Sequence, residues 1–191
     1  DECTSGFRET FGGLHKKYGV EPDIAVFGKA LGNGYPITAV IGRDEVMEVA
    51  QDTFISSTFW TERIGPVAGL KTLEIMKREK SWVQITEIGK EIGKRWETLA
   101  EKYELPIEIS GLPALVNFNI PLENWLKYKT LITQEMLNKG YLATNSVYVC
   151  TKHTKNVIDA YFEELDPVFS IIAECENSRN VNELLDGPVC H

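Results

Sequence analysis

Apolar positions follow two rhythms along this chain, and the change falls near Lys80. Before it, short apolar runs are punctuated by glycine. Asp23-Ile24-Ala25-Val26-Phe27 reads as a strand, and residues 37–41 read as another. Between them lies Gly28-Lys29-Ala30-Leu31-Gly32-Asn33-Gly34-Tyr35-Pro36, whose three glycines and one proline predict an irregular loop. Residues 54–60 are aromatic and rich in hydroxyls. Thr61 is placed to cap a helix carrying Ile64, Val67, Ala68, Leu70, Leu73 and Met76. Pro66 fits near the start of such a helix, where a missing N–H costs little.

After Lys80 the helical period takes over. Ser81-Trp82-Val83-Gln84 matches a capping box, with Ser at N-cap and Gln at N3. Ile85, Ile88, Ile92, Trp96, Leu99 and Tyr103 then recur at spacings of three and four, the apolar face of a long amphipathic helix. Residues 105–109 and 114–120 read as strands around the break Gly111-Leu112-Pro113. Trp125, Tyr128, Ile132 and Met136 mark another helix, stopped by Gly140. Residues 141–150 are β-like. Thr154 is expected to cap a helix with Val157, Ile158, Tyr161, Phe162 and Leu165, which Asp166-Pro167 should kink or restart. Residues 182–185 suggest a last turn. The pattern predicts an α/β chain in two parts, 1–80 and 81–191, the second an alternating α+β unit.

Composition narrows the classes. The chain has 191 residues, 43% hydrophobic and 25% charged, ordinary for a folded protein. Twenty basic against 28 acidic residues give a net charge of −8, which argues against a phosphate backbone as partner. No apolar run approaches the roughly 18 residues of a membrane span, and no basic segment precedes an apolar one as in a signal peptide. Cys3, Cys150, Cys175 and Cys190 are scattered without a CxxC pair, so reduced thiols in the cytoplasm are expected. His15, His153 and His191 are too dispersed to suggest a metal site. The chain opens Asp1-Glu2-Cys3 without Met and closes Pro188-Val189-Cys190-His191, so both ends read as cuts.

Three places could carry chemistry. Lys29, between Gly28 and Gly32, is either a solvated loop lysine or one directed inward, whose desolvated amine would be a nucleophile. A phosphate loop is excluded, because Walker A requires Ser or Thr after the lysine and Ala30 stands there. The pair Asp1-Glu2 is uninformative by itself. Ser56-Ser57-Thr58 precedes a predicted helix. Its hydroxyls suit either a phosphate held with the help of free N–H groups or ordinary turn chemistry.

Together, Asp1-Glu2-Cys3-Thr4-Ser5-Gly6-Phe7-Arg8, then Pro22-Asp23-Ile24 leading into Phe27-Gly28-Lys29-Ala30-Leu31-Gly32-Asn33-Gly34-Tyr35-Pro36, then Ser57-Thr58-Phe59 before a helix, resemble the class III aminotransferases. The glutamate-1-semialdehyde aminomutase-like branch is the nearest in pattern. The resemblance spans essentially the whole chain and is strongest over residues 1–42. It implies an α/β fold of type I. Residues 1–80 would be an incomplete C-terminal part of the large domain, which binds pyridoxal 5′-phosphate (PLP), and residues 81–191 the small α+β C-terminal domain. It also implies that Lys29 forms the Schiff base with the cofactor, that Asp1 pairs with the pyridine nitrogen, and that Thr58 binds cofactor phosphate in the neighbouring subunit of a homodimer with a shared active site. The substrate would be a small amine or carbonyl compound, with the amino group transferred between molecules or within one.

Two departures stand out. Cys3 replaces an aliphatic residue, and Trp60-Thr61-Glu62-Arg63 replaces the usual glycine-asparagine-proline turn, which puts the phosphate contact in question. The family's N-terminal half, with the main phosphate turn and the aromatic stacked on the ring, has no counterpart in these residues, so the chain alone is expected to be inactive. Decarboxylation or racemisation would use the same Lys29 and Asp1, and a non-catalytic module built on this fold is the rival outside enzymology. Glu2, Arg8 and His153 carry no role that sequence assigns.

Overall fold

The computed structural model describes residues 1–190. It divides into two compact units, Asp1–Gln84 and the chain from Ile85 onward, taken here one at a time.

In the first unit, β1 (Ile24–Phe27) and β2 (Ala39–Gly42) pair antiparallel, from Ile24↔Gly42 to Phe27↔Ala39. The two-residue period of a strand turns Ala25 and Phe27 inward, where they meet Phe7 and Leu31 in a small core. The Phe7 and Phe27 rings lie 5.5 Å apart. The connection is the expected irregular loop, with one 3₁₀ turn at Lys29–Leu31. Gly32 is obligatory there, because a Cβ would stand 2.1 Å from the Tyr35 carbonyl oxygen. A short α1 (Asp44–Met47) and a 3₁₀ turn (Glu48–Asp52) follow, and then exposed turns lead to α2 (Ile64–Glu79).

Helix α2 departs from the sequence reading in two ways. Glu62, not Thr61, closes its N-terminus: one carboxylate oxygen accepts from Ile64 N at 2.8 Å and the other from Gly65 N at 3.0 Å. Its inward face is glycine. Gly65 and Gly69 are buried, and a Cβ on Gly65 would lie 2.9 Å from the Pro36 carbonyl oxygen. Close packing through glycine turns the predicted apolar stripe of Ile64, Val67 and Leu70 outward, leaving all three exposed, while Leu73 and Met76 pack on the small core.

Lys80 alone, with φ 49°, separates α2 from α3 (Ser81–Lys102). The capping box is not made. Gln84 Nε2 donates to the Glu79 carbonyl at 2.6 Å, because so short a connection puts the end of α2 nearer than the start of α3.

The second unit holds the remainder of α3, β3 (Glu108–Ser110), β4 (Asn117–Asn119), α4 (Trp125–Asn138) and α5 (Lys155–Asn177). The two strands pair antiparallel and are shorter than predicted, because Pro113–Leu115 forms a 3₁₀ turn. Residues 141–150 form no regular strand but run along β4. Phe118 N donates to Asn145 O at 2.9 Å, and Val147 N to Val116 O at 2.9 Å. The core centres on Trp96 and Phe118, whose rings meet edge-on at 4.7 Å, with Trp96 Nε1 donating to Tyr161 Oη at 3.1 Å. Gly89 lets α3 lie on the chain at Pro113; a Cβ there would be 1.7 Å from the Pro113 carbonyl oxygen.

Helix α5 is continuous through Pro167, with no restart there. Proline removes one backbone donor and crowds the preceding turn. The carbonyl deprived of its donor is that of Glu163; close by, Lys139 Nζ donates to the Glu164 carbonyl at 2.7 Å and Lys102 Nζ to the Asp166 carboxylate at 2.6 Å. Gly140, with φ 85°, ends α4 as expected.

Candidate functional site

Residues 1–8 form a strap beside β1. Glu2 N donates to Val26 O at 2.8 Å, and Gly6 N closes a turn on Glu2 O at 2.8 Å. The Asp1 carboxylate accepts from Cys3 N at 2.7 Å, an Asx-type turn, and is exposed. One step further on, Cys3 covers Gly28: a Cβ on Gly28 would stand 2.8 Å from Cys3 Sγ, so the strap and the lysine loop lie flush only because residue 28 has no side chain. Lys29 Nζ then donates to Thr4 Oγ1 at 2.6 Å. The fold thus brings the strap that starts at Asp1 against Lys29, joining two segments 25 residues apart in sequence. Lys29 itself has φ 42°, in the left-handed region that a residue with a Cβ rarely adopts. It is exposed, which corrects the reading of an inward, desolvated lysine.

Glu2 is what sequence reasoning missed. Its side chain is buried and fully engaged: Ser5 Oγ donates to one oxygen, and His15 N, at 3.0 Å, and His15 Nδ1, at 3.1 Å, meet the other. Burial pushes its carboxyl up, but the hydrogen bonds from Ser5 and from the backbone and ring at His15 outweigh that and hold it below its ordinary value. A buried charge needs such partners. The available signal was Ser5 three residues on and the Gly12-Gly13 turn that delivers His15, neither specific alone. Arg8 has a structural contact in the same strap: its Nε donates to the Thr4 carbonyl at 3.2 Å.

Thr58 lies on an exposed turn, with no hydrogen bond to Lys29 or Asp1 among the described residues. The free N–H groups expected near it at the start of α2 are already taken by the Glu62 carboxylate, which the amides of Ile64 and Gly65 hold below its ordinary pKa. His153 belongs to the second unit and lines an apolar pocket of about 250 Å³ with Tyr141, Tyr148 and Val157. Its Nδ1 accepts from Cys150 N at 3.2 Å, and burial lowers its pKa. His191 lies outside the described residues. All four cysteines are free thiols. Among the described residues no helix is long and apolar enough to cross a membrane.

The chain is similar to known proteins in sequence and in fold. Residues 1–166 match the family Aminotransferase class-III. The chain is similar to the 3-aminobutyryl-CoA aminotransferase of Cloacimonas acidaminovorans (strain Evry), 35% identical over 160 residues, covering 81% of this chain and 39% of that protein. It is also similar to the glutamate-1-semialdehyde 2,1-aminomutase of Ruminiclostridium cellulolyticum, 33% identical over 178 residues, covering 84% of this chain and 41% of that protein. In fold it resembles the PLP internal aldimine form of the FumI protein of Sphingopyxis sp. MTA144 (TM-score 0.85, 21% identity, 97% of this chain and 45% of that one). An omega-transaminase from Sphaerobacter thermophilus has the same fold (TM-score 0.79, 19% identity, 89% of this chain and 43% of that one). The chain therefore spans about two-fifths of the length of the curated relatives it matches. It belongs to the class III aminotransferases, a family of enzymes dependent on pyridoxal phosphate.

Proposed function

We propose that this chain supplies the lysine, the pyridine-binding carboxylate and one phosphate contact of a class III aminotransferase, which moves an amino group between a small amine and a carbonyl compound. The observation that carries the reading is the strap lying flush on Gly28, with Lys29 beside it in a left-handed conformation. A primary amine next to a strap that begins with a carboxylate fits the aldehyde and pyridine ends of PLP. When bound, that cofactor supplies an electron sink for the charge that develops at the substrate carbon.

The chain's own residues divide the remaining work. Asp1 keeps a proton on the pyridine nitrogen, since an anionic neighbour favours the protonated ring. Lys29 would hold the aldehyde end of the cofactor, and its free Nζ would be the base that moves a proton at the substrate carbon. Glu2 orients Asp1 by fixing the strap. Thr58 donates its hydroxyl to cofactor phosphate in the neighbouring subunit of a homodimer. The amides at the start of α2 could join it only after Glu62 withdraws.

We read residues 1–80 as part of a cofactor-binding large domain and residues 81–191 as the small domain, a reading supported by the division of the chain into compact units after Gln84. The rest of the enzyme would come from polypeptide outside these 191 residues, and the chain alone would transaminate little. The aminomutase relatives favour a second reading, transfer within one substrate.

The test is to incubate the full-length enzyme with PLP, reduce with borohydride and map the peptides. A pyridoxyl group concentrated on Lys29 is the expected result. Label spread evenly over the lysines would favour a non-catalytic module. In an assembled enzyme, an amino acceptor screen run with and without added carbonyl compound separates aminotransferase from aminomutase.

A further inference from the structure

We propose that Thr4 is a positioning residue for Lys29: its hydroxyl holds the lysine amine at the strap whenever the amine is not bound to the cofactor. The inference rests on the reading of Lys29 given above and adds a residue to it. Lysine carries its charge on a long, flexible stem, and Lys29 is exposed, so nothing in its own packing fixes where Nζ points. Among the described residues, the 2.6 Å hydrogen bond from Nζ to Thr4 Oγ1 is a contact that does so.

Thr4 is suited to that task because it cannot itself wander. Threonine is branched at Cβ, which restricts its χ1. Its carbonyl accepts from Arg8 Nε at 3.2 Å, and the turn around it is closed by Gly6 N on Glu2 O at 2.8 Å. Glu2, tied to Ser5 and His15, anchors the same turn from its buried side. A rigid acceptor therefore meets a mobile donor, and the partner that moves is the one whose position matters to the chemistry. The left-handed backbone at Lys29 sends the side chain off in a direction that an ordinary loop lysine would not take, and Thr4 stands where that stem ends.

The experiment compares the enzyme assembled with the rest of its polypeptide with its Thr4→Val and Thr4→Ser variants, using PLP with borohydride as probe and the fraction of pyridoxyl label on Lys29 as readout. Valine keeps the shape and branching of threonine and removes the acceptor; serine keeps the acceptor. Loss of one hydrogen bond predicts about a fivefold fall in the Lys29 share for Thr4→Val, with Thr4→Ser near the parent. Thermal unfolding followed by circular dichroism should be alike in all three, because a merely structural role would move stability and would not be rescued by the hydroxyl alone. Equal Lys29 labelling in the parent and Thr4→Val overturns the role of Thr4 and leaves the assignment of Lys29 standing. No preference for Lys29 in the parent overturns that assignment, and the present inference with it.

Discussion

The two units of this chain differ in how much they bury, and the proposed site lies in the one that buries less. Among the described residues, the unit from Ile85 onward buries twenty-two apolar side chains in one cluster, whereas Asp1–Gln84 buries four. Exposed large apolar side chains run the other way, sixteen in the first unit and five in the second. The strap, the lysine loop and Thr58 all lie in the thinly cored unit. An apolar surface of that extent is the kind that another polypeptide surface covers. The lesson is that the site's geometry depends on local hydrogen bonds and glycine contacts rather than on a deep core, so its residues should be sensitive to different substitutions from those of the second unit.

The largest effect should come from Trp96→Ala. Trp96 is fully buried, packs edge-on against Phe118 and donates to Tyr161 Oη. Truncating such a side chain costs about 3–5 kcal/mol, the transfer loss plus a cavity. Urea unfolding of the whole chain should show this, with hydrogen exchange rising in α3, α4 and α5. A loss below about 1 kcal/mol would mean that stability is not concentrated where the core is.

Gly89→Ala should come next, at about 2–3 kcal/mol, because the new methyl meets backbone, which cannot swing aside as a side chain could. Gly187→Ala is the control. Nothing lies within 4 Å of its added Cβ, and its effect should stay within about 0.5 kcal/mol.

How much of this could be read in advance follows from the same contrast. Ile85, Ile92, Trp96 and Leu99 were legible as a buried face because α3 has a core to face, so its period and its burial agree. In α2 the period was real, but the inward face is Gly65 and Gly69, and a glycine contact leaves no hydrophobic signal. Pro167 looked like a break because proline removes a helix donor, and Lys139 and Lys102, which donate close by, are distant in sequence. In the site, the order of motifs marked Asp1 and Lys29, while Thr4, Glu2 and Glu62 could not be singled out. Glu2 and Thr4 take hydrogen-bond partners 13 and 25 residues away, which leave no local pattern, while Glu62 caps amides two and three residues on, where the neighbouring Thr61 was the more usual capping side chain.

Glu2→Gln sharpens the comparison on the first unit. Glutamine would present donors where His15 already donates, so the strap should lose about 1–2 kcal/mol at neutral pH. The pH dependence has a definite sign. The folded carboxyl sits below its ordinary value of 4.5, so its contribution is present above that value and lost as pH falls through the folded one. The protection factors of amides across residues 1–20, corrected for the intrinsic exchange rate at each pH, should therefore fall on acidification below about pH 4.5 in the parent, and follow a flatter profile in Glu2→Gln. Exchange in α5 over the same range provides the contrast, through Asp166, whose carboxyl the hydrogen bonds from Lys102 and Tyr103 also hold below its ordinary value. If both units lost protection together in Glu2→Gln, the division between them would fail.

The smallest effect on stability should be the most telling about the first unit's surface. Val67 and Leu70 are 66% and 70% exposed on α2, so a Val67→Thr, Leu70→Ser double variant removes apolar surface without removing a core contact. Its unfolding free energy should change by less than about 0.5 kcal/mol. Binding of a hydrophobic dye and self-association of the chain, measured by light scattering, should both fall, because those properties follow exposed apolar area. The matching exposed position in the second unit is Leu137, 55% exposed on α4 and outside the lining of the apolar pocket, and Leu137→Ser should leave dye binding nearly unchanged. A drop in stability with no drop in dye binding would show instead that α2 packs its apolar stripe within the chain, and the thin core of the first unit would have to be redrawn around it.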